Sequence, residues 1–274
     1  MTAWICATCG NWQADAPSPP GVCAICADER QWVPKDGQRW TTLEELRAAG
    51  HHSDIRDVEP NLVGIGTTPP VAIGQRSLLV QTEAGNVLWD LGGYLDDAAV
   101  EAVRERGELV GLAASHPHFY GAISEWSERL GGVPILLPEA DERWLLRPSP
   151  NVRIWSGTLE VVPGVTLVQC GGHFPGSAVL HWAAGADARG VLLTGDTIMV
   201  TPGRDRVTFL RSAPNRIPLP ERLVRQVVAA VEPYPFDRIY TGWWDLTLDA
   251  DAKAVLHRDA ERYIAWVRGD VSED

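Results

Sequence analysis

The sequence predicts an α/β protein in which two sheets lie between helical layers, preceded by a small metal-held module. Short apolar runs fall into two groups along the 274 residues, and each group is followed by helical segments. Histidines and an aspartate recur directly after such runs, where strands end. Four of the five cysteines lie within the first 26 residues, as two Cys-x-x-Cys pairs. The length suits one large domain or two small ones. The boundaries expected are residues 1–35 for the module and 36–274 for the layered domain.

Hydrophobic residues make up 45% of the chain, ample for a sizeable core. A net charge of −12 argues against a nucleic-acid-binding surface and against an anionic membrane. No N-terminal segment joins a basic stretch to an apolar run, and no apolar run approaches the ~18 residues of a membrane-spanning helix. The expectation is a soluble, cytoplasmic protein that acts on a small-molecule substrate, with neither nucleic acid nor membrane as partner. Composition leaves a homo-oligomer open.

Cys6-Ala7-Thr8-Cys9 and Cys23-Ala24-Ile25-Cys26 are separated by 13 residues. A CxxC hairpin turns both thiolates inward, so two of them supply four tetrahedral sulfur ligands. Disulfides are disfavoured in a chain with no secretion signal. Trp4, Trp12 and Trp32 can form a miniature core, and domains below about 40 residues usually need such a staple. The knuckles resemble those of rubredoxin, which binds one iron through the same pairs. CATCG keeps the glycine that follows the second cysteine there; CAICA lacks both the proline and the closing glycine. Those departures favour zinc and leave iron open. The module reads as structural, not electron-carrying.

Thr41–Glu45 opens a short helix with a threonine cap and an acidic first turn, and Gly50 stops it. Leu62–Gly66, Val71–Ile73 and Ser77–Thr82 read as short strands. A hairpin turn at Glu83–Asn86 leads into the strand Val87–Leu91. Asp97–Arg106 is an amphipathic helix, Leu109–Ala114 a strand, Ile123–Leu130 a helix, Val133–Leu137 a strand and Glu139–Leu146 a helix. The second group of strands comprises Arg153–Trp155, Leu159–Val162, Thr166–Gln169, Ala178–Ala183 and Val191–Thr194. Helices at Glu221–Val231 and Asp249–Arg268 follow it. Thr201–Pro220, rich in proline and arginine, reads as an ordered excursion over the site.

The chemistry gathers at three strand ends. Leu112–Ala122 reads LAASHPHFYGA and delivers His116 and His118 one residue apart. Side chains at i and i+2 of extended backbone project to one side, and Pro117 biases His116 towards that conformation. Two imidazoles are thereby aimed at one point, as a zinc or iron site requires. Downstream, Gly171-Gly172-His173 follows a strand, its glycines allowing a tight turn. Val191–Thr194 runs through Gly195 into Asp196, a carboxylate in apolar surroundings that needs a partner such as a metal. Arg204, Arg206, Arg211 and Arg216 cluster in the excursion, where Arg211 is a candidate for binding an anionic substrate group. His181, among apolar neighbours, reads as a core residue.

In this order the motifs resemble those of the metallo-β-lactamase fold hydrolases. SHPHFYG matches that family's HxHxDH, GGHFPGS its glycine-flanked histidine, and LLTGDT its strand-end aspartate. The resemblance covers roughly Pro60 to Trp266 and implies a four-layer αββα sandwich with the site along one edge of the sheets. It also implies the first-metal set His116, His118 and His173, with Asp196 as the usual bridging ligand. Three second-metal ligands are replaced: Tyr120 and Gly121 stand where HxHxDH has Asp and His, and YTGWW stands where the last histidine is expected. A mononuclear site follows, with Trp243 and Trp244 walling the vacated space into a narrow apolar pocket.

One zinc on three histidines leaves a position for water and lowers its pKa towards neutrality. The expected activity is hydrolysis of a small ester, thioester or related bond, with Asp196 either an added ligand or the group that holds and orients the water. Tyr120 is expected to donate to the developing oxyanion. Two other readings stand beside this one. His116, His173 and Asp196 match the Fe(II) ligand set of the persulfide dioxygenases of the same fold. A catalytically degenerate metal-binding or scaffold protein is the third.

Overall fold

Alternation along the strands decides the layers. In Ser77–Val80, Leu79 belongs to one buried cluster while Leu78 and Val80 belong to another. In Asn86–Trp89, Leu88 sides with the first cluster and Val87 and Trp89 with the second. A strand buried at every position, as both of these are, is covered on both faces. The computed structural model, which describes residues 1–271, shows what covers each face.

The first sheet has seven strands in chain order: β1 (His52–Glu59), β2 (Leu62–Thr68), β3 (Ser77–Val80), β4 (Asn86–Trp89), β5 (Leu109–Ala113), β6 (Ile135–Pro138) and β7 (Val152–Trp155). It is antiparallel from β1 to β4 and parallel from β4 to β7. The second has six: β8 (Thr158–Val162), β9 (Val165–Gln169), β10 (Ala178–Trp182), β11 (Val191–Leu193), β12 (Arg238–Tyr240) and β13 (Thr247–Leu248). Leu78, Val87 and Trp89 of the first sheet meet Leu167, Leu180 and Leu193 of the second in the central core.

Helices close both outer faces. Helix α1 (Leu43–Ala48) carries the expected threonine cap: Glu45 N–H donates to Thr42 Oγ1 at 3.2 Å and Thr42 N–H to Glu45 Oε2 at 3.1 Å. Helices α2 (Asp97–Glu105) and α3 (Ile123–Arg129) put Val100, Val103, Ile123 and Trp126 against the first sheet. Helices α4 (Glu221–Val231) and α5 (Ala252–Arg268) put Val224, Val227, Leu256 and Ile264 against the second. The result is the four-layer αββα sandwich. Among the described residues no helix is long and apolar enough to cross a membrane.

Three expectations are corrected and one strand was missed. Val71–Ile73 is a turn, with Ala72 at φ 53°. The strand containing Arg153–Trp155 belongs to the first sheet, because it continues the parallel run beside β6. Glu139–Trp144 is a 3-10 helix. Strand β1 was not expected, since His52–Glu59 lies at a sheet edge and shows no apolar alternation.

In the cysteine module Ile5–Cys6 pairs antiparallel with Trp40–Thr41. Its interior is shared: Ile5, Cys6, Cys9, Trp12 and Ile25 fall in the same buried cluster as Leu91, Phe119 and Ile123. Trp12 Nε1 donates to Gly93 O at 2.9 Å. Trp32 is 43% exposed, so it adds little to the miniature core.

Candidate metal centre

Strands β5, β9 and β11 each end at the same edge and hand over a polar residue. After β5, His116 is extended (φ −171°, ψ 171°), as Pro117 predicted. His118 arrives differently from expectation. Pro117–Phe119 forms one 3-10 turn with proline in its first turn, a position for which the fixed φ of proline is suited. The rings still converge, with centroids 4.9 Å apart. His173 follows β9 and Asp196 follows β11 through Gly195, at φ 49°. A Cβ on Gly195 would stand 2.0 Å from Ser115 Oγ, so only glycine passes there.

One donor atom from each of His116, His118, His173 and Asp196 lies within 4.8 Å of the others. His118 Nδ1 faces His173 Nε2 at 3.5 Å, and His116 Nε2 faces Asp196 Oδ2 at 3.6 Å. Two nitrogens on one tetrahedral zinc stand ~3.4 Å apart by the usual bond lengths, so the spacing fits a shared ion. The residues are 1%, 2%, 1% and 5% exposed. His116 Nε2 and Asp196 Oδ1 have no hydrogen-bond partner. Buried polar atoms without partners are costly, and this donor set fits a metal ion.

Electrostatics agree with neutral, ligating imidazoles. Burial pushes His116 and His118 well below the usual histidine range, and their imidazole neighbours and Arg30 add to the effect. Burial takes His173 down to about 4, although its hydrogen bond to Leu210 O opposes this. Burial raises Asp196 to about 7 and Asp90 likewise to about 7.

Neighbouring groups fix the rings. His173 Nδ1–H donates to Leu210 O at 2.9 Å, which turns Nε2 inward and places the excursion over the site. His116 Nδ1 and Ser115 Oγ are 2.9 Å apart. Ser115 in turn donates to Asp90 Oδ1 through both its hydroxyl (2.8 Å) and its amide (2.7 Å). Such outer partners orient ligating imidazoles. Asp90 follows a buried strand as Asp196 does, so the signal that marks Asp196 could have found it, but the sequence expectation places it inside the strand Val87–Leu91. Arg30 Nε donates to His173 O at 2.7 Å and Asn11 Nδ2 to His118 O at 3.4 Å. Nothing in the sequence marks these two, whose partners are backbone atoms 143 and 107 residues away.

The other candidates are placed as follows. Tyr120 is buried and its hydroxyl has no partner; burial and then Asp141 push its pKa up. Trp243 packs edge-on against Phe119, whose ring packs against His116, with centroid distances of 5.6 and 4.7 Å. Trp244 lies over Gly64 and Gly66 of β2, with the Arg56 and Arg76 guanidiniums on its face. Arg211 pairs with Glu29 of the cysteine module, while Arg204 pairs with Asp249. His181 bonds Pro235 O at 2.8 Å.

At the two glycines next to Tyr120 and Trp243 there is no room for a side chain. A Cβ on Gly121 would lie 2.3 Å from the carbonyl oxygens of Leu91 and Gly92. One on Gly242 would lie 2.5 Å from the Phe119 ring. Phe119 lies against the His116 ring and Trp243 lies against Phe119.

The four cysteines form the second cluster. Cys6 Sγ and Cys26 Sγ are 3.5 Å apart, and Cys9 Sγ and Cys23 Sγ 3.7 Å. Sulfurs on a tetrahedral zinc stand ~3.8 Å apart by the usual Zn–S length, so this set also fits a metal.

Residues 72–243 match the family described as the metallo-beta-lactamase superfamily. The uncharacterized protein YmaE of Bacillus subtilis (strain 168) is 43% identical over 273 residues, covering 99% of each chain. Among solved structures, VMB-1 aligns with a TM-score of 0.59 at 13% identity, over 79% of this chain and 98% of its own. A B3 metallo-β-lactamase with an active-site glutamic acid aligns at 0.52 and 14%, over 85% and 97%. At these identities the structures show a shared fold.

Proposed function

Because this chain belongs to the metallo-beta-lactamase superfamily, we propose that it is a mononuclear metal-dependent hydrolase of a small ester, thioester or related substrate. His116, His118, His173 and Asp196 would hold the metal, with zinc favoured. The observation that carries the reading is the convergence of these buried, partly unpartnered donors; the replacement of the second-metal ligands by Tyr120, Gly121 and Trp243 supports one ion, not two. A metal bound there would supply Lewis-acid polarisation and a water of lowered pKa.

The chain's own residues supply the rest. Ser115 and Leu210 hold the His116 and His173 rings with their Nε2 atoms inward. Asp196 Oδ1 carries no hydrogen bond, which supports it as the group that would take a proton from an attacking water. Phe119, Phe174 and Trp243 pack the surroundings with carbon and exclude bulk water.

The test begins with metal content. Protein purified without added metal should contain two zinc ions per chain, one for each cluster. Turnover on a panel of esters, thioesters and lactones should vanish in His116→Ala and in Asp196→Ala, each verified as folded. Equal background rates in all three proteins would sink the enzyme reading. Iron at the histidines with oxygen uptake on persulfide would replace it with the dioxygenase.

A further inference from the structure

Both knuckles of the cysteine module reach the histidine site, and each does so through the backbone of a different candidate ligand. From the first knuckle, the Asn11 amide nitrogen lies 3.6 Å from Cys9 Sγ and 3.4 Å from the carbonyl oxygen of His118. From the second, Arg30 Nε donates to the carbonyl of His173 at 2.7 Å, four residues past Cys26. The Arg30 guanidinium also lies 4.2 Å over the ring of Phe174, which packs against all three histidines. Asn11 and Arg30 are themselves buried, at 3% and 6% exposure.

The Arg30 segment is clamped from its other side by the excursion. Ser212 Oγ donates to Arg30 O at 3.0 Å, and Asn215 Nδ2 lies 2.9 Å from each of the carbonyls of Glu29 and Gln31. That same excursion supplies Leu210 O to the ring of His173. His173 is therefore gripped twice, at its ring by the excursion and at its carbonyl by the module, and the two grips are joined to each other.

We propose that Asn11 and Arg30 are positioning residues for the metal centre, and that occupancy of the four-cysteine cluster by metal sets how tightly the histidine site holds its own. The proposal rests on the metal-site reading given above. The physical reason is order. Without an ion, the turns at Cys6–Cys9 and Cys23–Cys26 lose the crosslink between them and are held only by the packing of Ile5, Trp12 and Ile25 in the shared core, and small modules depend on such staples for their order. Loosening those knuckles frees Asn11 and Arg30, and the His118 and His173 backbones lose their donors. Removal of groups that orient metal ligands typically weakens binding by about 10–100-fold.

Cobalt(II) reports both sites in the intact 274-residue chain, because a thiolate set and an imidazole–carboxylate set give different absorption bands. Arg30→Met keeps an apolar stem over Phe174 but removes the donor; Asn11→Leu keeps volume but removes the amide. In Arg30→Met the thiolate band should be unchanged; in Asn11→Leu, which also removes the donor to Cys9 Sγ, the band should persist with at most a small shift. In both, cobalt affinity at the histidines, measured by chelator competition, should fall about 10–100-fold. Arg30→Met should show the larger loss, since its hydrogen bond is the shorter. Cys26→Ser should abolish the thiolate band and lower histidine-site affinity by a similar factor. Histidine-site affinity within twofold of wild type in all three variants overturns the coupling and leaves the hydrolase reading standing. Wild type that takes up no cobalt at the histidines overturns both.

Discussion

Asp141 carries a charge that its surroundings oppose. It is fully buried, and neither oxygen makes a well-formed hydrogen bond. Burial raises its pKa from 3.8 to about 6, against the pull of the Gly176 amide, Arg30 and Arg143. The folded value lies above the unfolded one, so the folded chain binds the proton more tightly. The wild type is therefore penalised progressively as pH rises from about 4 to about 6, and the full penalty persists above that. Asp141→Asn should be more stable by up to about 3 kcal/mol at pH 7 and little different at pH 4. Denaturant melts at the two pH values check this, and a difference independent of pH would refute it. Residues such as His116, His173 and Asp196 were legible because each follows an apolar strand. Asp141, Asn11 and Arg30 were not, because their environments come from segments remote in sequence.

Parallel pairing of β4 with β5 sets Trp89 beside Ala113, and so sets Asp90 beside Ser115 just past the strand ends. The relay from Asp90 through Ser115 to His116 is thus a product of register. Ser115→Ala removes the hydroxyl that bonds Asp90 Oδ1 and faces His116 Nδ1, leaving the buried carboxylate with only the backbone amide. Histidine-site metal affinity should fall about tenfold or more with the fold retained, as read by chelator competition and circular dichroism. Unchanged affinity would mean that the aromatic packing of Phe119 and Phe174 alone fixes the ring. At this scale the strands buried on both faces were easy to read, because unbroken apolar runs leave few alternatives. Strand β1 was hidden by its edge position, and β7 was assigned to the wrong sheet because periodicity says nothing about which neighbour a strand joins. The convergence of His116 and His118 was foreseen, but the backbone that achieves it is a 3-10 turn.

Across the whole molecule, the cysteine module and the first helical layer share one core. Ile5, Trp12 and Ile25 are buried in the cluster that also holds Leu88, Leu91, Phe119 and Ile123. Gly10 lies so close to Gly93 that a Cβ on the latter would stand 2.7 Å from its backbone. Trp12 ties the two together through its indole N–H and its amide, to Gly93 O and Gly121 O. A module that folded by itself would melt by itself. Here separation would strip apolar cover from Leu91 and Phe119, and Phe119 is the ring that holds one side of His116. Calorimetry of the zinc-loaded protein should therefore show one cooperative transition. In Cys6→Ser that single transition should move down as a unit, since loss of a metal ligand removes folding free energy from the shared core. A low-temperature shoulder, with the main transition left at its wild-type midpoint, would show instead that the module unfolds independently. The coupling of its knuckles to His118 and His173 would then need a different physical basis.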